Sequence, residues 1–299
     1  MMAVARTRCV RSLAGVFAFV LLGWFAPGSV HAQVNDGKVS FTTGFDMSHA
    51  YFFRGIKQER EGLIAQPYAD INFNVYSNED ASGLTGVTFT LGQWNSLHSG
   101  PSGSDGPAEN VAMWYESDFY TGVTLEIDNW EAGIIYTSYL SPNDTFGTTQ
   151  EIALGLSMDD TELLGAFSMS PHVLLAIETS GGADGGASEG VYLELGVEPG
   201  MDIVEDVASV SFPITLGMSL SNYYENGVPM GEPDQFSDGF GFFSIGAAVG
   251  FPLPVSENYG SWEVTGGLQF IALGSYLEFL NEGDSSGQVI GTFGFSIGY

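Results

Sequence analysis

From Val39 onward the chain alternates between apolar and polar residues. Phe41, Phe45, Met47 and Tyr51 take odd positions, while Ser40, Thr42, Asp46 and Ser48 take even ones. A period of two belongs to β-strands and not to helices. The stretch 63–76 shows it most clearly, with Leu63, Ala65, Ala69, Ile71, Phe73 and Val75 opposing Gln66, Tyr68, Asp70, Asn72 and Asn74. The last residues repeat it: Val289, Phe293, Phe295, Ile297 and Tyr299 oppose Gln288, Thr292, Gly294, Ser296 and Gly298. Between these ends the pattern predicts strands near 84–96, 110–127, 130–141, 148–158, 165–179, 189–198, 208–222, 239–251, 261–273 and 287–299. With 39–54 and 63–76 they number twelve. Pro171 and the run HVLLAI blur the alternation in 165–179.

The uncharged run 207–224 is long enough for a spanning helix, but its serines and threonine recur at even separations and Pro213 interrupts it, so it reads as a strand. Gaps after odd-numbered strands (97–109, 180–188, 223–238) are long and rich in Gly, Pro, Ser, Asp or Asn. Most gaps after even-numbered strands are tight, as at Asp128–Asn129 and Asp159–Asp160; 199–207 and 252–260 are longer. Long loops on one side and short turns on the other characterise outer-membrane barrels. An even strand number closes such a sheet without an edge, which lipid requires. The expected fold is therefore all-β: one up-and-down antiparallel transmembrane barrel of about twelve strands. A soluble sandwich would alternate too, but apolar faces on all the strands and an aromatic terminus favour the barrel.

The first residues change the picture of location. Arg6, Arg8 and Arg11 precede an apolar run from Leu13 to Phe25 and then SVHAQ. This is the plan of a secretory signal peptide, expected to be cut after Ala32, leaving 33–299 as the barrel domain. Cys9, the single cysteine, leaves with it, so the mature chain has no thiol chemistry.

Charge narrows the partners. The chain has 36 acidic and 7 basic residues, and the signal removes three of the latter, leaving Lys38, Arg54, Lys57 and Arg60. Nucleic acid is excluded as a partner, because phosphate binding needs Lys and Arg. Hydrophobic residues at 44% and aromatics at 13% argue for a folded chain despite this imbalance. The expected partners are outer-membrane lipid and small solutes or cations; the oligomeric state is left open.

The stretch FTTGFDMSHAYFFRGIKQEREGLIAQPYADINF (41–73) resembles the opening of the TorF-type porin family of Gram-negative bacteria. The matching residues are Tyr51, Phe53, Arg54 and Gly55, then Gln58 and Pro67. The resemblance implies an outer-membrane barrel acting as a porin.

Strand parity sorts the charges. Asp46, Asp70, Glu116, Asp118, Glu126, Glu131, Glu151, Glu194 and Glu263 fall opposite the apolar face, and so does Arg54 alone among the basic residues. These ten are the candidate pore-lining residues. Unpaired carboxylates at this density need water around them. The expected function is therefore passive diffusion of small solutes with cation preference. The alternative is a non-conducting barrel with structural or surface-interaction duty.

An acyl hydrolase would need a serine, a histidine base and an orienting acid. His49 falls on the lipid-facing parity, His98 in a Gly/Ser-rich loop and His172 after Pro171, none in a nucleophile–base setting, so no enzyme and no cofactor are expected. DNW at 128–130, DGGASE at 184–189 and EPDQFSD at 232–238 lack the ordered spacing of a calcium loop and read as solvated loops.

Overall fold

In the computed structural model the described residues are 38–78, 82–100, 113–165, 168–183, 186, 188–204, 207–228, 236–281 and 285–299. The expected signal peptide and Cys9 lie outside them. The strands are β1 (Val39–Ser48), β2 (Tyr51–Phe53), β3 (Ile56–Glu59), β4 (Ile64–Ser77), β5 (Leu84–His98), β6 (Trp114–Ile127), β7 (Trp130–Leu140) and β8 (Thr149–Met158). After the short helix α1 (Thr161–Leu164) come β9 (His172–Ser180), β10 (Val191–Val197), β11 (Gly200–Val204), β12 (Ala208–Ser211), β13 (Ile214–Ser221) and β14 (Phe240–Pro252). A 3₁₀ turn at Glu257–Tyr259, β15 (Ser261–Leu273), α2 (Ser275–Leu280) and β16 (Gly287–Gly298) complete the chain.

Two of these divisions are local breaks in one strand. Glu198 and Pro199 separate β10 from β11, and Phe212 and Pro213 separate β12 from β13. Proline brings no N–H to a ladder, yet bonding continues across both breaks. Phe212 N–H donates to Pro199 C=O, and Gly246 N–H donates to Pro213 C=O. Counted so, twelve antiparallel strands form the sheet, and β1 pairs with β16 to close it. Phe41 and Tyr299 exchange backbone hydrogen bonds of 2.7 Å at the seam.

One register row shows why the outer surface belongs in lipid. Val39, Phe73, Phe89, Val123, Ile134, Leu154, Leu175, Leu193 and Met218 stand side by side, each opposite the next on its neighbouring strand. Adjacent rows supply Phe41, Ile71 and Leu91 in the same way. Side chains such as Phe119, Ile134, Leu154 and Phe293 remain exposed in the isolated chain. Water would penalise such a girdle by about 25 cal/mol per Å² of apolar surface, while a hydrocarbon layer accommodates it. The protein is an outer-membrane β-barrel. Among the described residues no helix is long and apolar enough to cross a membrane.

The predicted strand order and count agree with this fold, and 207–224 is strand as expected. Three boundaries differ. The strand expected over 165–179 starts only at His172, because Asp160 draws the chain into a turn. Its carboxylate accepts from Ser168 Oγ at 2.6 Å and from the Met169 and Ser170 N–H groups at 3.0 Å. These donors hold its pKa below the usual carboxylate range, outweighing the desolvation that would raise it. The gap expected at 199–207 is largely strand, with β11 pairing β12. The strand expected over 39–54 ends at Ser48. Beyond it the chain makes the small two-stranded sheet β2–β3, separate from the barrel wall.

Candidate functional site

The β2–β3 hairpin lies inside the barrel, at the end that carries the longer loops. Its turn residues Arg54 and Gly55 both have positive φ, 49° and 83°. Gly55 is needed twice over: a side chain there would adopt a left-handed backbone, and its Cβ would lie 2.5 Å from Leu277 Cδ1. Tyr51, Phe53, Arg54, Ile56 and Glu59 are all buried, although they belong to a connection between two wall strands. Twelve strands enclose more space than the side chains of a wall can fill, so a hairpin fits within.

Two further segments hold it. Asn281, just after α2, accepts from Lys57 N–H through Oδ1 at 2.9 Å and donates from Nδ2 to Gly55 C=O at 2.9 Å. Its own carbonyl accepts from Lys57 Nζ at 3.1 Å. Tyr224 OH donates to Arg54 C=O at 2.9 Å. Tyr276 and Leu277 of α2 are wholly buried in the same apolar cluster as Ile56, Phe242 and Leu273. Ser275 Oγ, at the start of α2, donates to Asp238 Oδ2 at 2.6 Å, and this bond with the Phe240 N–H keeps the Asp238 pKa below its usual value. The hairpin is therefore a clamped insert. Asn281→Ala is expected to remove two hydrogen bonds from its backbone, worth roughly 1–3 kcal/mol as buried groups lose partners. Hydrogen exchange at the Lys57 amide should speed up by one to two orders of magnitude while the β1–β16 amides keep their rates.

Arg54 is the centre of the insert. Its Nη1 donates to Glu151 Oε2 at 2.6 Å and its Nη2 to Glu151 Oε1 at 2.8 Å, a two-pronged pair. Nη1 also donates to Tyr223 OH at 2.9 Å. The guanidinium carbon lies 4.3 Å from the ring centre of Tyr192, 4.9 Å from that of Phe53 and 5.3 Å from that of Tyr223. Tyr139 OH donates to Glu151 Oε1 at 3.3 Å. This corrects the parity reading of Arg54. It reaches the interior from the tip of the hairpin and not from the wall, because the alternation it was counted on stops at Ser48.

The nine acids stand on the inner face, at rows opposed to the apolar girdle, but in different settings. Asp70, Gly92, Tyr120, Thr137, Glu151 and Glu178 make one inner row from β4 to β9. Tyr120 OH donates to Asp70, and Tyr51 OH donates to Glu116 Oε2 at 2.9 Å. Asp118 is buried and its Oδ1 has no hydrogen-bond partner. Glu194 accepts from Tyr192 OH at 2.6 Å. Asp46 lies beside Gly294 in the β1–β16 pair, and Glu263 is opposite Ser296. Glu126 and Glu131 face each other across the Asp128–Asn129 turn, at the short-turn end, where Glu126 is exposed.

Parity missed Glu178, which stands opposite Glu151 and accepts from Ala183 N–H and Gly190 N–H, each at 2.7 Å. It falls in the β9 stretch whose alternation is blurred. His98 also differs from expectation. It ends β5, buried, stacked on Tyr115 at 4.4 Å, with Nε2 2.7 Å from Ser96 Oγ. Spacing of two on one strand face was the available signal. Ser96 exposes none of its surface, so the contact reads as packing in the hairpin's socket. His49 is exposed and its Nδ1 accepts from Gly291 N–H, and His172 starts β9 facing Gly196. Among the described residues no cluster of His, Cys, Asp or Glu is arranged to hold a metal. Parts of 184–189 and 232–238 lie outside those residues.

No protein-family model matches the chain, and no curated protein does. Solved structures do. An outer membrane channel from Pseudomonas putida is 9% identical, with 88% of this chain and 96% of that one covered at a TM-score of 0.42. The translocator domain of the autotransporter NalP from Neisseria meningitidis is 9% identical, with 90% of each chain covered at 0.38. A porin is 8% identical, with 88% of this chain and 99% of that one covered at 0.32. Likeness of this degree concerns the course of the chain and carries no function with it.

Proposed function

We propose that the protein is a diffusion channel of the TorF-type porin class for small cationic solutes, with the β2–β3 hairpin narrowing its path. The observation that carries this reading is the inner face. The nine acids assigned by parity stand there on the wall together with Glu178, and one arginine meets them from the hairpin. A passage lined by one sign of charge within low-dielectric walls concentrates counterions.

Planar-bilayer reversal potentials under a KCl gradient test it. Cation preference is expected at low salt. It should fade in molar salt, where the Debye length falls to about 3 Å. Glu116→Gln with Asp118→Asn should reduce it. An anion-selective pore would overturn the reading.

A second reading has its own support. Tyr51, Phe53 and Ile56 pack into the interior as core residues do. That favours a barrel that does not conduct and works through its long loops. Silence in bilayers, with the hairpin in place and after its removal, would select this reading.

A further inference from the structure

The group that Arg54 occupies is built almost entirely by the barrel. Glu151 comes from β8, Tyr139 from β7, Tyr192 from β10, and Tyr223 from the connection after β13. Only Phe53 and Arg54 itself belong to the hairpin. Withdrawal of the hairpin would leave a forked carboxylate, a phenol oxygen and two aromatic faces converging on a space shaped for a planar cation. Each of these features suits guanidinium better than ammonium. A carboxylate fork matches two parallel N–H groups, and the flat, weakly hydrated guanidinium stacks on rings where an ammonium stays solvated. Further carboxyl groups lie close by. Glu178 faces Glu151 across the ladder, and Asp118 keeps a buried oxygen without a partner.

We propose that this cage is a binding site for guanidinium-bearing solutes, filled at rest by Arg54 as a tethered occupant. An incoming guanidinium would compete with Arg54 for Glu151 and favour the withdrawn hairpin by the difference in its affinity for the two states. The hairpin's hold is finite: its tip carries a non-glycine residue at positive φ. The proposal names the solute class for the channel reading and depends on that reading for the solute's entry, but not for binding itself.

Binding is tested on the full chain in liposomes with Arg54→Ala, which empties the cage. Millimolar guanidinium chloride, far below denaturing strength, is expected to raise the unfolding midpoint of this variant. A concentration about ten times the dissociation constant changes the unfolding constant roughly tenfold. Equal sodium or ammonium chloride should give little or none of this shift. Wild type, already occupied, should shift far less, and Arg54→Ala with Glu151→Gln should lose the effect. If Arg54→Ala folds poorly, refolding yield becomes the readout, and guanidinium must raise it where sodium chloride does not. Equal action of all three salts, or a guanidinium effect that survives Glu151→Gln, overturns the proposal. Guanidinium rescue without KCl conductance would leave the cage standing and reject the channel. Conductance with no selective guanidinium effect would do the reverse.

Discussion

Glu151→Gln is expected to destabilise the protein by roughly 3–5 kcal/mol, the usual cost of leaving one member of a buried ion pair without its counter-charge. The pair is well shielded, with side-chain exposures of 4% for Arg54 and 1% for Glu151. Glutamine keeps the volume and one acceptor oxygen, but replaces the other with an amide that points its own donors at Arg54 Nη. The guanidinium cannot neutralise itself by losing a proton. It must either remain charged against three aromatic rings or leave with the hairpin. The second route is the easier, because the hairpin is a connection and not a wall strand. The loss should therefore be local. Exchange at the β2–β3 amides should rise toward that of an open loop, and proteases should gain access near Arg54, while gel migration of the unheated protein stays that of a closed barrel. Arg54→Ala with Glu151→Leu should recover much of the stability, since removing both charges abolishes the imbalance. If Glu151→Gln leaves hairpin exchange unchanged, the pair is not what holds the insert.

The wall was legible because lipid and lumen impose opposite demands on alternate residues. That demand writes itself at every second position of β4, β5, β8 and β16, where the predicted and observed limits nearly coincide. It weakens where backbone chemistry takes over. Asp160 bends 168–170 out of the sheet through its carboxylate, a contact across eight to ten residues that periodicity does not register. The inner hairpin was invisible for a related reason. Tyr51 and Phe53 continue the odd-numbered apolar parity of β1, so the sequence reads as one strand through Arg54. What turns the chain inward is a set of distant partners: Asn281 on Gly55 and Lys57, Tyr224 on the Arg54 carbonyl, and Glu151 on its side chain. Parity sorts the acids against the apolar face; it does not register the aromatic packing around them. Tyr192, Tyr223 and Tyr224 come together from β10 and the connection after β13, about thirty residues apart in sequence.

Replacing residues 50–61 by a short Gly/Ser link should raise single-channel conductance by at least several-fold, with the barrel still closed and still heat-modifiable. The wall ladder keeps all its β1–β4 pairs in this variant, because β1 and β4 pair directly up to Ser48 and Ile64 and no residue between those two belongs to it. What leaves is the filling. Tyr51, Phe53, Ile56 and the Arg54 guanidinium all go, and Leu277 and Tyr276 lose the surface they pack against. The cost falls on stability through lost apolar contact, at a few kcal/mol for each large side chain no longer buried. The gain falls on the path, since Glu116, Asp118, Glu151 and Glu178 then face open lumen with no arginine among them. Water entering there would solvate carboxylates that a dry interior penalises heavily. Cation preference should therefore rise together with conductance, a joint result that simple leakage around a loosened barrel would not give. A higher conductance without selectivity would mean that ions pass elsewhere than along these acids. No conductance at all would mean that the wall side chains and α2 close the interior by themselves, and the protein works through its loops.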